Sequence, residues 1–183
     1  MANRLSGKRI VITGAANNIG KEAAMQFVRE GASVAIGDID EKLGQATADE
    51  LGAHFFKVDV TVESSVKDFI EAAVKALGGL DVLVQNAGLQ RSGSVTEFSA
   101  KDWDALFAVN TRAHFFGVKY AIPHLRKSGK GSIIHLIACG SARWAWADCL
   151  LRVEGRSDCI RHRARDGVGS GQHPSQHGLP RVG

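Results

Sequence analysis

The stretch that most narrows what this chain can fold into runs from Lys8 to Asp38, KRIVITGAANNIGKEAAMQFVREGASVAIGD. Ile10, Val11 and Ile12 form a β-branched apolar run too short for a helix, which predicts a buried strand. Gly14 opens a turn of small and polar residues that reaches Asn18, and Gly20 sits where a helix begins. From there Ile19, Ala23, Ala24, Phe27 and Val28 recur at helical spacing until Gly31 ends the helix. Ser33 to Ile36 reads as a second buried strand, closed by Asp38. Strand, glycine turn, helix, strand and acid in that order make half of a dinucleotide-binding fold. A helix N-terminus offers unpaired N–H groups and a partial positive charge to a pyrophosphate, and glycine lets the backbone come close. A carboxylate at the tip of the second strand accepts ribose hydroxyls and repels a 2′-phosphate. Asp38 therefore favours NAD over NADP.

Thr13, Gly14, Ala15, Ala16, Asn17, Asn18, Ile19 and Gly20 resemble the T-G-x-x-x-G-x-G loop of the short-chain dehydrogenase/reductase family. Asn18 stands where that family has its middle glycine, and asparagine is the next best residue at positive φ. The resemblance implies an α/β fold, a Rossmann-type doubly wound parallel sheet, here truncated to five strands in the order 3-2-1-4-5. It assigns Thr13, Gly14, Asn17, Asn18, Ile19 and Gly20 to the cofactor.

Composition sets wider bounds. With 183 residues, 44% of them hydrophobic, the chain suits one globular domain with a sizeable core. No apolar run approaches a membrane span, and MANRLSGKR lacks the apolar stretch of a secretory signal, so a cytoplasmic protein is the default. Cys139, Cys149 and Cys159 are odd in number and lack zinc-type pairing, which indicates neither a disulfide framework nor a metal site. The net charge is +4, but no basic and aromatic residues interleave as a nucleic-acid stripe.

Further along, Glu41 to Leu51 predicts a second helix ended by Gly52, and Ala53 to Val58 a third strand. In the resembling family the Asp59-Val60 pair that follows borders the adenine ring; by itself it reads equally as a cap for the next helix. Val62 to Leu77 reads as a helix with Val66, Phe69, Ile70, Ala73, Val74 and Leu77 on one face. Leu80 to Val84 predicts the fourth strand, followed by Gln85-Asn86-Ala87-Gly88. The family has N-N-A-G there, so Gln85 departs from it while Asn86, Ala87 and Gly88 match. The resemblance places those three beside the adenosine ribose and pyrophosphate; a plain turn is the alternative. A long helix starts near Trp103 with Asn110 inside it. An isolated helical asparagine is usually a solvent contact, but the Val109-Asn110-Thr111 setting matches the family's catalytic asparagine, which kinks its helix. Pro123 is a second candidate kink, and in the family this helix face commonly makes a homo-oligomer, while from the residues alone it reads equally as core. Ser132 to Ile137 predicts the fifth strand.

The pattern then breaks. The family's chemistry uses a serine, a Tyr-x-x-x-Lys general acid/base pair and the asparagine, acting on a small-molecule alcohol or ketone. Tyr120 is the only tyrosine, no lysine follows Lys130, and Ala138 stands in the serine position. Beyond Lys130 every basic side chain except histidine is arginine, and periodicity disappears. The division is a dinucleotide-binding domain over 1–137 and an aberrant, irregular tail over 138–183. A reading-frame change near residue 134 or 135 accounts for it. With the codons chosen freely as CTA CTG CGC GTC GAA G, Leu150 to Gly155 read one base later gives Tyr-Cys-Ala-Ser-Lys. In the same frame His135 to Ala138 can yield Ile-Ser-Ser, which would restore the serine upstream of that tyrosine. Taken literally, then, this chain retains the nucleotide half of an NAD-dependent oxidoreductase without its acid/base pair, and is strongly impaired as an enzyme. The alternatives are a non-catalytic NAD-binding fragment or a misfolded product, and homo-oligomerisation of the chain as written is doubtful.

Overall fold

A computed structural model describes residues 3–91 and 96–136. Five parallel strands, β1 (Arg9–Thr13), β2 (Ser33–Asp38), β3 (His54–Lys57), β4 (Val82–Gln85) and β5 (Ser132–His135), lie in the order β3-β2-β1-β4-β5. The helices are α1 (Asn18–Arg29), α2 (Glu41–Leu51), α3 (Glu63–Leu77), α4 (Ala100–Phe107) and α5 (Ala113–Ser128). A five-residue π-helical segment, Ala108–Arg112, joins α4 to α5.

Side chains of β1 alternate between two cores because successive residues of a strand point to opposite faces. Ile10 and Ile12 pack with Val34, Ile36, Ala24 and Ala48 under α1 and α2. Val11 packs on the other face with Leu83, Val66, Phe69, Ile70 and Phe116 under α3 and α5. Both faces are covered, which is why the central strands read as continuous apolar runs rather than alternating ones. Each fully buried Ile or Leu contributes roughly 1.5–3 kcal/mol.

Chain order and sheet order reverse at β1. The chain leaves β1 toward β2 and β3, then crosses back to β4 and β5. The carboxyl ends of β1 and β4 therefore flank a crevice of the kind in which open α/β sheets bind ligands. Hydrogen bonds fix the register there: Thr13 lies opposite Gly37 on one side and Gln85 on the other.

Most predicted boundaries hold within two residues. β4 begins at Val82 rather than Leu80 and runs through Gln85. Asp81, just before it, still bonds both neighbours through its main chain, donating to the Arg9 carbonyl and accepting from the Ser132 N–H, each at 2.9 Å, while the Nε and main-chain N–H of Arg9 donate to its Oδ2 at 2.8 and 2.9 Å. Pro123 sits inside an uninterrupted α5; the break in the long helix falls instead at the π-helical segment around Asn110. The serine, tyrosine and lysine positions inferred from a frame change, and the tail over 138–183, lie outside the described residues. No helix among the described residues is long and apolar enough to cross a membrane, and no cluster of metal-ligating side chains occurs among them.

Candidate functional site

The loop after β1 is built for close approach. Gly14 has φ +67°, and a Cβ there would meet the Ala87 backbone at 2.7 Å. Gly20 lies in the first turn of α1, where a Cβ would collide with the Gly14 carbonyl and would meet the Ala15 Cα at 2.9 Å. Asn18 adopts φ +46°, the left-handed conformation that the family's glycine would take. Asparagine thus preserves the turn.

The N-terminus of α1 lacks both a side-chain cap, as α3 also does, and the acidic first-turn residue that α3 has. Asn17 is the N-cap residue but makes no side-chain cap hydrogen bond, and the first turn holds no acidic residue. By contrast Asp40 caps α2 by accepting from the Leu43 N–H, and Ser99 caps α4 by accepting from the Asp102 N–H. No side-chain cap and no first-turn carboxylate of its own helix therefore serves the first-turn donors of α1. They form the positive end of a helix dipole that is open to an anion.

Asp38 ends β2 and is wired into this loop. Its Oδ2 accepts from the Ala16 N–H at 3.0 Å and its Oδ1 from the Asp40 N–H at 3.1 Å. Each carboxylate oxygen has a further lone pair for an outside donor. Beneath the loop, the buried Thr47 hydroxyl of α2 donates to the Ala16 carbonyl at 2.7 Å. Sequence reading missed Thr47; its only signal was a polar residue on the apolar side of a helical pattern. Ile39, next to Asp38, and Ile19, at the mouth of α1, are exposed at 64% and 68%.

Asn86 joins the two sides of the crevice. Its Nδ2 donates to the carbonyls of Thr13 at 3.1 Å and Gly14 at 2.6 Å. In return the Thr13 hydroxyl accepts from the N–H groups of Asn86 and Ala87, both at 3.2 Å. Thr13, Gly14, Gly20, Asn86 and Ala87 therefore form one knot at the switch point, and Gly88 is the exposed residue after it. Asp59 does not cap α3, whose N-cap residue is Val62. Its Oδ1 accepts from the N–H and hydroxyl of Thr61 at 2.9 and 2.7 Å, and its own N–H donates to the Ser65 hydroxyl at 3.0 Å. Val60 follows it, half-buried.

Asn110 lies in the π-helical segment. Its Oδ1 accepts from the Leu89 N–H and its Nδ2 donates to the Leu89 carbonyl, both at 2.8 Å. This reciprocal pair fixes the chain leaving Gly88 against the wide turn, a role more specific than a solvent contact. Tyr120 points elsewhere: its hydroxyl donates to Glu63 Oε1 at 2.8 Å, which Lys119 also reaches at 2.7 Å. Those two partners, Lys119 first, hold the Glu63 carboxyl below the ordinary glutamate range.

A parallel sheet with its switch point at β1, a glycine loop leading into α1, and an acid at the tip of β2 define a Rossmann-like α/β fold. Residues 8–144 match the model of the family described as short chain dehydrogenase. The chain belongs to that family of oxidoreductases. It is 44% identical over 172 residues to 2,5-dichloro-2,5-cyclohexadiene-1,4-diol dehydrogenase LinX of Sphingobium indicum, covering 87% of this chain and 69% of that protein. It is 35% identical to 3-alpha-(or 20-beta)-hydroxysteroid dehydrogenase of Mycobacterium tuberculosis, over 74% of this chain and 53% of that protein. The 3-oxoacyl-[acyl-carrier-protein] reductase FabG of Thermotoga maritima is 36% identical, over 73% of this chain and 56% of its own length.

Proposed function

We propose that this chain is the nucleotide-binding part of an NAD-dependent oxidoreductase that moves a hydride between the nicotinamide and a secondary alcohol or ketone, polyols included. The observation that carries the reading is the Asp38 carboxylate, tied by the Ala16 N–H to the loop that opens the bare N-terminus of α1. An anion at the helix mouth and a ribose at the carboxylate are the two ends of an adenosine diphosphate. A 2′-phosphate would bring its charge against Asp38, which supports NAD over NADP. In this reading Thr13, Gly14, Asn17, Asn18, Ile19 and Gly20 hold the pyrophosphate side. Asp59, Val60 and the exposed Ile39 border the adenine, and Asn86, Ala87 and Gly88 pass under the adenosine ribose. The cofactor supplies hydride acceptance and donation; these residues only bind and orient it. Asn110, bonded to Leu89 just beyond Gly88, keeps the wide helical turn next to the crevice.

The substrate class rests on relatives. A diol dehydrogenase, a hydroxysteroid dehydrogenase and an oxoacyl reductase share only an alcohol–carbonyl interconversion. The chain as written lacks Tyr-x-x-x-Lys, and Tyr120 is engaged with Glu63. Without a positioned proton donor, turnover falls by about 10²–10⁴-fold. A frame change near residue 134 or 135 would supply the reason, and restoring the frame can restore the pair.

The test compares two purified polypeptides, this one and its frame-restored counterpart, for nicotinamide reduction with secondary alcohols and polyols. The expected result is nucleotide binding by both and brisk turnover by the second alone. Brisk turnover by the present chain would refute the missing-acid account. Absence of both binding and a cooperative thermal transition would favour a misfolded product. The nucleotide sequence across codons 130–155, with an intact mass, decides the frame directly.

A further inference from the structure

Gly117 lies inside α5, where glycine weakens a helix relative to alanine and no left-handed conformation calls for one. It is buried on the face that carries Ala113, Phe116, Ala121 and Leu125. What calls for it is Gln85, the last residue of β4. A Cβ at 117 would collide with the Gln85 Nε2 and meet its Cδ at 3.0 Å, while the next neighbour, Leu83, stands at 3.7 Å, an ordinary contact. The missing methyl is the room that one side chain occupies.

Gln85 uses that room to reach α5. It is 2% exposed, and its Nε2 donates to the main-chain carbonyl of His114, in the first turn of α5, at 3.1 Å. Turning the amide over would set Oε1 against the carbonyl oxygen, two acceptors face to face, so Nε2 is the atom at the carbonyl. The side chain could retreat from a methyl at 117, but retreat takes the amide off the carbonyl and leaves a donor unpaired in the interior.

That bond is one of two fastenings between the same segments. Four residues on, the Leu89 main chain exchanges two hydrogen bonds with the Asn110 amide, both at 2.8 Å. Residues 85–89 are therefore held at both ends to residues 110–114, across the π-helical segment and the start of α5. Between the fastenings Asn86 donates to the Thr13 and Gly14 carbonyls, and the Ala87 backbone lies close against Gly14. We infer that Gln85 and Gly117 are a matched pair that seats α5 on the tip of β4 and so positions the 86–88 turn for the nucleotide. Gln85 is too buried to touch a nucleotide and acts through that turn, so the inference rests on the nucleotide reading above.

Gly117→Ala, Gln85→Ala and the double variant, made in the full chain, test the pair. Thermal melts without nucleotide and calorimetry with NAD, at a temperature where all are folded, are the two readouts. Gly117→Ala is expected to lower Tm in the unaltered background and to raise it in the Gln85→Ala background, where the methyl has room and helix propensity decides. Each single variant is expected to weaken NAD binding by about 2–10-fold, the scale of one net hydrogen bond, and the double variant no further. An equal fall in Tm in both backgrounds overturns the pairing, and unchanged NAD affinity in both single variants overturns the positioning role. If the unaltered chain binds no NAD, the nucleotide reading falls together with the positioning role, and the melts still decide the pairing. Hydrogen exchange of the Gln85 side-chain amide decides it even where Gln85→Ala does not fold. Protection in the unaltered protein that is lost in Gly117→Ala is expected, and equal exchange in the two overturns the pairing.

Discussion

Asn86→Ala removes one side-chain amide and unties the switch point. The amide nitrogen donates to two carbonyls, Thr13 at 3.1 Å and Gly14 at 2.6 Å. Each lost bond is worth about 1 kcal/mol net, and a carbonyl left buried without a donor adds about 1–3 kcal/mol. Thr13 is buried and Gly14 half-buried, so only one of the two carbonyls incurs most of that penalty. The sum is about 3–5 kcal/mol, a fall in Tm of roughly 6–20 °C for a chain of this size. Urea unfolding of the nucleotide-free protein, followed by far-ultraviolet circular dichroism, reads it. Asn86→Asp sharpens the test. It keeps the shape but sets a carboxylate oxygen against two carbonyl oxygens, so it is expected to destabilise more than alanine. If aspartate is tolerated as well as alanine, the nitrogen is not the atom facing the glycine loop, and the account of the knot fails.

Three further outcomes follow from the same contacts. Gly20→Ala places a methyl against the Gly14 carbonyl and the Asn86 amide, and is expected to cost about 1–3 kcal/mol and to weaken nucleotide binding; thermal melts with and without NAD read both. Thr47→Val orphans the Ala16 carbonyl and is expected to cost about 1–3 kcal/mol by urea titration, with a smaller loss for Thr47→Ser. Asp81 is held at about 2, chiefly by hydrogen bonding from Arg9. Its folded value lies below the unfolded one, so its stabilisation is complete above the unfolded value and lost as pH falls through about 2. Allowing for solvent around the partly exposed Arg9, that contribution is about 1 kcal/mol, and acid titration of Asp81→Asn should lack it.

The sheet was legible because its signals are local and redundant. β-branched runs mark β1 and β2, and glycines close α2 and α3 in left-handed caps. Asn18 at positive φ was legible too, since so few residues adopt that conformation. The partners that hold the site together were not. Thr47 and Ala16 are separated by 31 residues and Asn86 and Thr13 by 73, and no periodicity encodes a contact at that range. Asn110 shows the limit most clearly. Its residue type and neighbours marked it, but its bonding to Leu89 depends on a widened turn that helical spacing alone does not announce. Gln85 stood out only as a departure from a motif; its partner, His114, sits 29 residues away on another element.

The most direct test is calorimetry of this chain with NAD and with NADP at matched ionic strength, alongside Asp38→Ala. The account predicts measurable NAD binding, NADP binding at least about tenfold weaker, a difference of roughly 1.4 kcal/mol, and loss of that discrimination in the variant. Equal affinity for the two nucleotides, or discrimination that survives removal of the Asp38 carboxylate, would contradict it.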